Sequence, residues 1–78
     1  MLVHIELKKS VKEEVVGNPE YMGALIQKVV GLGMRDINMG RLFRYGSLIG
    51  NIPGEKLALF YGLEEVETMQ TEGTKSAS

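Results

Sequence analysis

The chain opens on a strict alternation. From Met1 to Lys9, Val3, Ile5 and Leu7 fall on one face and Leu2, His4, Glu6 and Lys8 on the other, the period of a strand buried on one side. A slip of one residue would bury His4 and Glu6, so the register of this strand is strongly specified. Ser10 to Gly17 gives opposed signals. Ser10 and Glu13 have capping-box spacing, while Val15-Val16 favours an extended exit, and the segment is read as a loop. At Asn18-Pro19 the period becomes helical, because Asn can accept from the free amides of a first turn and Pro fits the first helical position. Met22, Leu25, Ile26 and Val29 then form one stripe, with Gln27 and Lys28 turned outward. Gly33 suits the left-handed position after a helix and Met34 the apolar contact that follows it, so the helix is expected from about Pro19 to Leu32.

Asp36 to Phe43 is read as the second strand. Its alternation breaks, since Ile37 and Met39 share a face with Arg41 while Leu42 falls on the other. A bulge at Gly40 would return Leu42 to the inner face and leave Arg41 and Phe43 pointing out. A turn at Tyr45-Gly46 makes a hairpin with a third strand, Ser47 to Ile52, in which Leu48 and Ile52 point inward, Ile49 points outward and Gly50 permits close approach of a helix. Pro53-Gly54 punctuates the chain, Leu57, Phe60 and Tyr61 recur at helical spacing, and Gly62 can end that helix. Leu63 to Val66 makes a turn, and Glu67 to Thr71 alternates as an edge strand. The order is βαββαβ. Right-handed crossovers then predict an α+β, ferredoxin-like sandwich, a four-stranded antiparallel sheet of spatial order 4-1-3-2 with both helices on one face. Val3, Ile5, Leu7, Leu25, Ile26, Val29, Leu48, Ile52, Leu57 and Phe60 are its expected core. Residues 1–72 form one domain, and the tail 73–78, with nothing apolar larger than Ala, is expected to be flexible.

Composition narrows the functional classes. A chain of 78 residues has room for one domain, which at such a size buries only about 60% of the surface its unfolded chain exposes and gains stability from association. Ten acidic residues against nine basic ones leave no field that would draw nucleic acid. The absence of Cys removes disulfides and thiolate chemistry together and fits the cytoplasm. The N-terminal apolar run is too short for a signal peptide, and no stretch reaches the roughly 20 apolar residues that a membrane span needs.

Candidate chemistry is sparse. His4 and Glu6 share a strand face and could offer two metal ligands, but a closed site needs about four and no second His or any Cys is present to complete one. Ser10 and Ser47 have only that one histidine as a base, which leaves no nucleophilic triad. Glu64, Glu65 and Glu67 read as a solvated run that keeps an edge soluble. The chain is therefore read as a non-catalytic module without cofactor or metal. Arg35, Arg41 and Arg44 are the one basic concentration, and Arg41 and Arg44 with Tyr45 could hold an anionic group by forked hydrogen bonds. Gly31-Leu32-Gly33 ends a helix where a phosphate loop would open one. On the expected open sheet face, Leu2, His4, Phe43 and Ile49 would form a contiguous patch of the kind that marks interfaces, and a face-to-face homodimer is its simplest use. Pairing of like edges is disfavoured in this reading, because one edge carries Arg35, Arg41 and Arg44, the other carries Glu67 and Glu72, and like charges repel; opposite edges could still pair, but that heterologous contact would propagate as a ring or filament. The alternative is a ligand-binding accessory subunit with an intersubunit site near Arg41 and Arg44.

Two stretches resemble known families. FRYGSLIGNIP from Phe43, with EKLALFYGLEEVETMQTE to Glu72, resembles the propeptide and inhibitor family of subtilisin-type proteases, in which a small-residue strand is followed by a helix and a closing strand bearing a hydrophobic pair and an acidic position. Val66 and Met69 match the pair, and Gln70 departs from the acidic position. This resemblance implies a protease or larger enzyme as partner, with Glu72 to Ser78 laid as an extended strand in its cleft. Gly46 to Gly50 with Leu63 to Glu72 is also similar to small bacterial proteins labelled ketohydroxyglutarate-aldolase-like, from which no catalysis is carried over. LKKSV at Leu7 to Val11 and DINMGRLF at Asp36 to Phe43 resemble the small subunit of the purine-pathway formylglycinamidine synthase. The propeptide and synthase families are described as ferredoxin-like, so these resemblances imply one architecture and different roles.

Overall fold

β1 (Leu2–Leu7) takes the central place in the sheet, which in the computed structural model is flanked on one side by β2 (Ser47–Asn51) and on the other by β3 (Val66–Thr71), both antiparallel to it. The structure describes residues 1–71; the flexible-tail reading of 73–78 and the cleft-strand reading of Glu72 to Ser78 fall outside the described residues. Four helices complete the described chain: α1 (Lys9–Gly17), α2 (Pro19–Gly31), α3 (Met39–Tyr45) and α4 (Leu57–Tyr61), the last entered through a 3₁₀ turn at Gly54–Lys56. Val3, Ile5 and Leu7 are buried as their alternation requires. They join Val15, Leu25, Val29, Leu42 and Phe60 from the helices and Leu48, Ile52 and Val66 in one core.

The expected four-stranded ferredoxin-like sheet does not form. Asp36 to Phe43, read as its second strand, pairs with no strand: Arg35 just before it makes an isolated antiparallel bridge with Asn51, and the chain then turns into α3. Two local interactions decide this. Asp36 adopts the left-handed conformation, φ 55°, which a short polar side chain tolerates, and its Oδ2 accepts from Asn51 Nδ2 at 3.3 Å. Asn38 then caps the helix, its Oδ1 accepting from the Arg41 N–H at 3.1 Å. The broken alternation at Arg41-Leu42 is thus the mark of a helix burying one residue, Leu42, and Gly40 sits inside that helix with no bulge. Tyr45-Gly46 is accordingly no hairpin turn. Gly46 ends α3 at φ 68°, and a Cβ there would stand 2.9 Å from Lys12 Cγ, so only glycine fits both the backbone and the space. Strand order is β2-β1-β3, in place of 4-1-3-2.

Residues 10–17 are helical, where a loop is expected. Ser10 lies inside α1; the cap position is Lys8, which makes no side-chain capping bond. Val11 and Val15, one turn apart, supply the stripe, Val15 being buried and Val11 half-buried, and α1 packs against α2 and α3. Tertiary packing outweighs the modest propensity of its valines. Asn18 links two helices: its N–H donates to the Glu14 carbonyl at 2.8 Å, and its Oδ1 accepts from the N–H groups of Glu20 at 3.1 Å and Tyr21 at 3.4 Å. α2 closes as expected. Met34 N–H donates to Val29 O, and Gly33, at φ 117°, donates to Val30 O, the paired bonds of a Schellman ending. Met34 then packs fully buried against Gly50, where a Cβ would come within 3.0 Å of its Cγ and Sδ. The close approach that Gly50 allows is therefore to the chain leaving α2, not to a helix. Ile26 and Leu57, expected in the core, are only half-buried at its margin, whereas Val15, Met34, Leu42 and Val66 enter it.

Two substitutions test these local assignments. Asn18→Ala should cost about 1 kcal/mol, read as a lowered thermal midpoint; an unchanged midpoint would refute the cap. Leu42→Ala should cost about 2–5 kcal/mol while Phe43→Ala, one residue on, stays within about 0.5 kcal/mol, because α3 buries the first and exposes the second. Equal losses in a urea titration would refute this placement of Leu42 and Phe43.

Candidate functional site

The polar half of the β1 alternation builds the outer face of the sheet. His4 lies opposite Ile49 on β2 and Gln70 on β3, and Glu6 opposite Ser47 and Thr68. Side chains directly opposite on antiparallel strands share a face, so these pairs form two rows across three strands. They enclose a shallow depression of about 220 Å³ with Ile49 among its walls and Arg41 reaching its rim from α3. Leu2, opposite Asn51, is the diagonal neighbour of Ile49. A bulge in β3 at Glu67 shifts the register between Glu6 and Leu7. That shift lets Val66 and Met69, three apart, both point inward, with Thr68 and Gln70 left outward.

The structure brings Leu2, His4 and Ile49 onto one face and leaves Phe43 out of the sheet, 59% exposed on α3. The strand that was to carry Phe43 across this face is a helix beside β2. Arg41 belongs to the face. Its guanidinium stands 5.7 Å from the ring centroid of Tyr45, one turn on, a cation–π contact at i,i+4 spacing. Arg44 is exposed on α3 and does not line the depression, and Arg35 is held in the bridge to Asn51. Glu6 is salt-bridged to Lys12 of α1, which neutralises its charge and leaves Arg41 as the cation of the rim. Sequence reasoning weighed Glu6 only as a metal ligand beside His4 and Ser47 only as a nucleophile, and it passed over Thr68 and Gln70. The signal was present, since each is the polar partner in a strand whose alternate positions are buried. Among the described residues no cluster of three or more His, Cys, Asp or Glu side chains could hold a metal ion, and no helix is long and apolar enough to cross a membrane.

A second polar feature ties α2 to the start of β3. Lys28 Nζ donates to Glu65 Oε2 at 2.9 Å, while Oε1 is buried without a hydrogen-bond partner. Burial pushes the Glu65 carboxyl up, but the Lys28 hydrogen bond, a backbone hydrogen bond and the charges of Lys28 and Lys8 together hold it below its ordinary 4.5. Lys28 is held above its ordinary 10.5, chiefly by the same hydrogen bond acting against its own partial burial. Tyr21, Ala24 and Leu25 line the small hollow beside this pair.

The chain matches no protein-family model, and neither curated proteins nor solved structures gave a match. The resemblances at Phe43–Glu72 and Leu7–Phe43 therefore rest on those residues alone.

The Lys28–Glu65 pair predicts a pH dependence. A carboxylate with a lowered folded-state pKa contributes stability above its unfolded value, and the contribution is lost as pH falls through the folded value. Wild type should therefore exceed Glu65→Gln in stability at pH 7, by at most about 1 kcal/mol because Lys28 is largely exposed. The two should converge below the folded pKa of Glu65. A difference that stays constant from pH 7 to pH 2 would show that the ion pair contributes nothing.

Proposed function

We propose that this chain is a small non-catalytic interaction module that associates with a second copy of itself through the outer face of the sheet. The observation that carries this reading is the geometry of that face: Leu2 and His4 of β1 lie together on it with Ile49 of β2, more than forty residues on, at a shallow polar depression that His4 and Ile49 help to line. All three are half-buried within the described chain. Glu6 on the central strand is already paired to Lys12, so a two-fold copy laid against the face meets Arg41 at one side among neutral polar groups, which favour register through directional hydrogen bonds. A domain this small has limited core to spend on its own stability, and burying Ile49 and Leu2 against a partner adds to it.

A specific observation favours a second reading. Arg41 makes no ion pair among the described residues, and it stands over a hollow whose other walls include Ser47, Thr68 and Gln70. That set suits a small anionic ligand held by forked hydrogen bonds and neutral donors. Arg44 does not share the hollow, so this reading rests on Arg41 alone of the two arginines.

Ile49→Asp separates the readings. Under self-association it should halve the sedimenting mass while the far-ultraviolet circular dichroism stays native. A wild-type protein that sediments as a monomer at high micromolar concentration would overturn face-to-face association and leave a foreign protein, including a protease or another enzyme, or a small ligand as the occupant.

A further inference from the structure

We infer that β3 is an open pairing edge that joins two copies of the chain into one continuous six-stranded antiparallel sheet, with Met69 opposite Met69 of the second copy. The two edges of the sheet differ in what their backbone groups do. Met1 and Ile52 exchange hydrogen bonds, the Met1 amino group donating to Ile52 O at 2.7 Å and Ile52 N–H to Met1 O at 2.9 Å. In an antiparallel ladder the bonded pairs alternate, so Val3 and Ile5 also face β2, and Asn51 and Ile49 of β2 face away from β1. Their outward groups are taken. Asn51 N–H and C=O both bond to Arg35 at 2.7 Å, and Ile49 O accepts from Asn38 N–H at 2.8 Å. The edge of β2 is thus closed by the segment that leads into α3.

β3 is the opposite case. Even-numbered positions of β1 face it, as the Lys8 N–H donating to Glu65 O at 3.0 Å shows, so Thr68 and Gln70 turn their backbone groups to β1. Met69, between them, turns its N–H and C=O outward, and no backbone group of the described residues bonds to them outside the sheet. A strand edge of this kind is a template for another strand.

The side chains select a second copy as the occupant. A two-fold axis at Met69 sets Thr68 opposite Gln70 of the second copy, and Glu67 opposite Thr71, twice each. Hydroxyl meets amide and the carboxylate meets a hydroxyl, with no like charges opposed. The expectation that like edges repel counted the carboxylates along this edge; antiparallel pairing about Met69 sets Glu67 opposite Thr71 and not opposite a second Glu67. Because β2 is closed, copies cannot add head to tail, and the contact closes with two subunits. α4, which packs against β3, leaves Leu59 and Tyr61 exposed at 48% and 61%, apolar surface on the helix layer nearest the paired edge. Thr68 and Gln70 also line the outer-face depression. Pairing would bring those of the second copy alongside and join the two depressions into one groove across the axis. That groove rests on the outer-face reading above; the pairing does not.

Disulfide trapping tests the register. The chain has no cysteine, so thiols enter only where they are placed. Thr68 and Gln70 of the second copy would form a non-hydrogen-bonded pair, with Cα atoms about 4.5 Å apart, within disulfide reach. Mild oxidation of an equal mixture of Thr68→Cys and Gln70→Cys chains should shift the mixture to a covalent dimer holding one of each. Either variant oxidised alone should give far less. The trapping should persist in an Ile49→Asp background, where the outer-face contact is broken, which keeps failure of this proposal distinct from failure of that one. Met69→Pro removes the outward N–H without breaking the ladder to β1 and should halve the sedimenting mass of the otherwise native chain. A mixture that cross-links no more than its separate components would overturn the proposal. So would a Met69→Pro protein of native circular dichroism and unchanged mass.

Discussion

β1 hydrogen-bonds on both sides, with Val3 and Ile5 directed to β2 and His4 and Glu6 to β3, and the whole sheet depends on that double ladder. Its register also assigns every side chain its side. Val3, Ile5 and Leu7 are pressed under the helices because His4 and Glu6 must not be. The same register places Ile49 and Gln70 on either side of His4. The core and the outer face are therefore two consequences of one alternation, and a slip of one residue would exchange them.

Closure of the β2 edge depends on a much smaller set of groups. Asp36 bends the chain back at a positive φ, Arg35 and Asn51 exchange two backbone bonds, and Asn38 both donates to Ile49 and caps α3. Three consecutive functions, bridge, turn and cap, are performed within four residues. They convert what would be a fourth strand into an edge cover and bring Arg41 over the outer face. The asymmetry between the two edges of the sheet, one sealed and one open, follows from this.

The outer face has a mixed character, on which the proposed association draws. Ile49 and Leu2 supply area, while His4, Ser47, Thr68, Gln70 and Arg41 supply directional groups. Polar groups at a contact favour correct register and reject wrong partners more than they add affinity. With Glu6 already paired to Lys12, the face presents a cation that no carboxylate of the described chain engages.

The sequence by itself determined those elements whose signals are local. β1 was legible from its alternation, α2 from Asn18-Pro19 at one end and Gly33-Met34 at the other, α4 from Pro53-Gly54 and Gly62, and the edge character of β3 from its weak pattern. Each rests on contacts within a few residues of the signal, which a linear reading can see. Of the face, Leu2, His4 and Ile49 were legible for the same reason, and so was Arg41 as a candidate cation. Only the tertiary structure decided α1 and α3. Val11 and Val15 make a helix because α2 and α3 give them something to pack against, and Leu42 tips Met39–Tyr45 into a helix because one buried residue per seven is enough when Asn38 caps it and the neighbouring strand accepts its bridge. That choice reduced the expected four strands to three, moved Phe43 off the sheet, and left β3 as the one edge still able to pair. A chain's own periodicity carries no record of the partner that buries it, and where the stripe is only one or two residues wide, the partner decides the element.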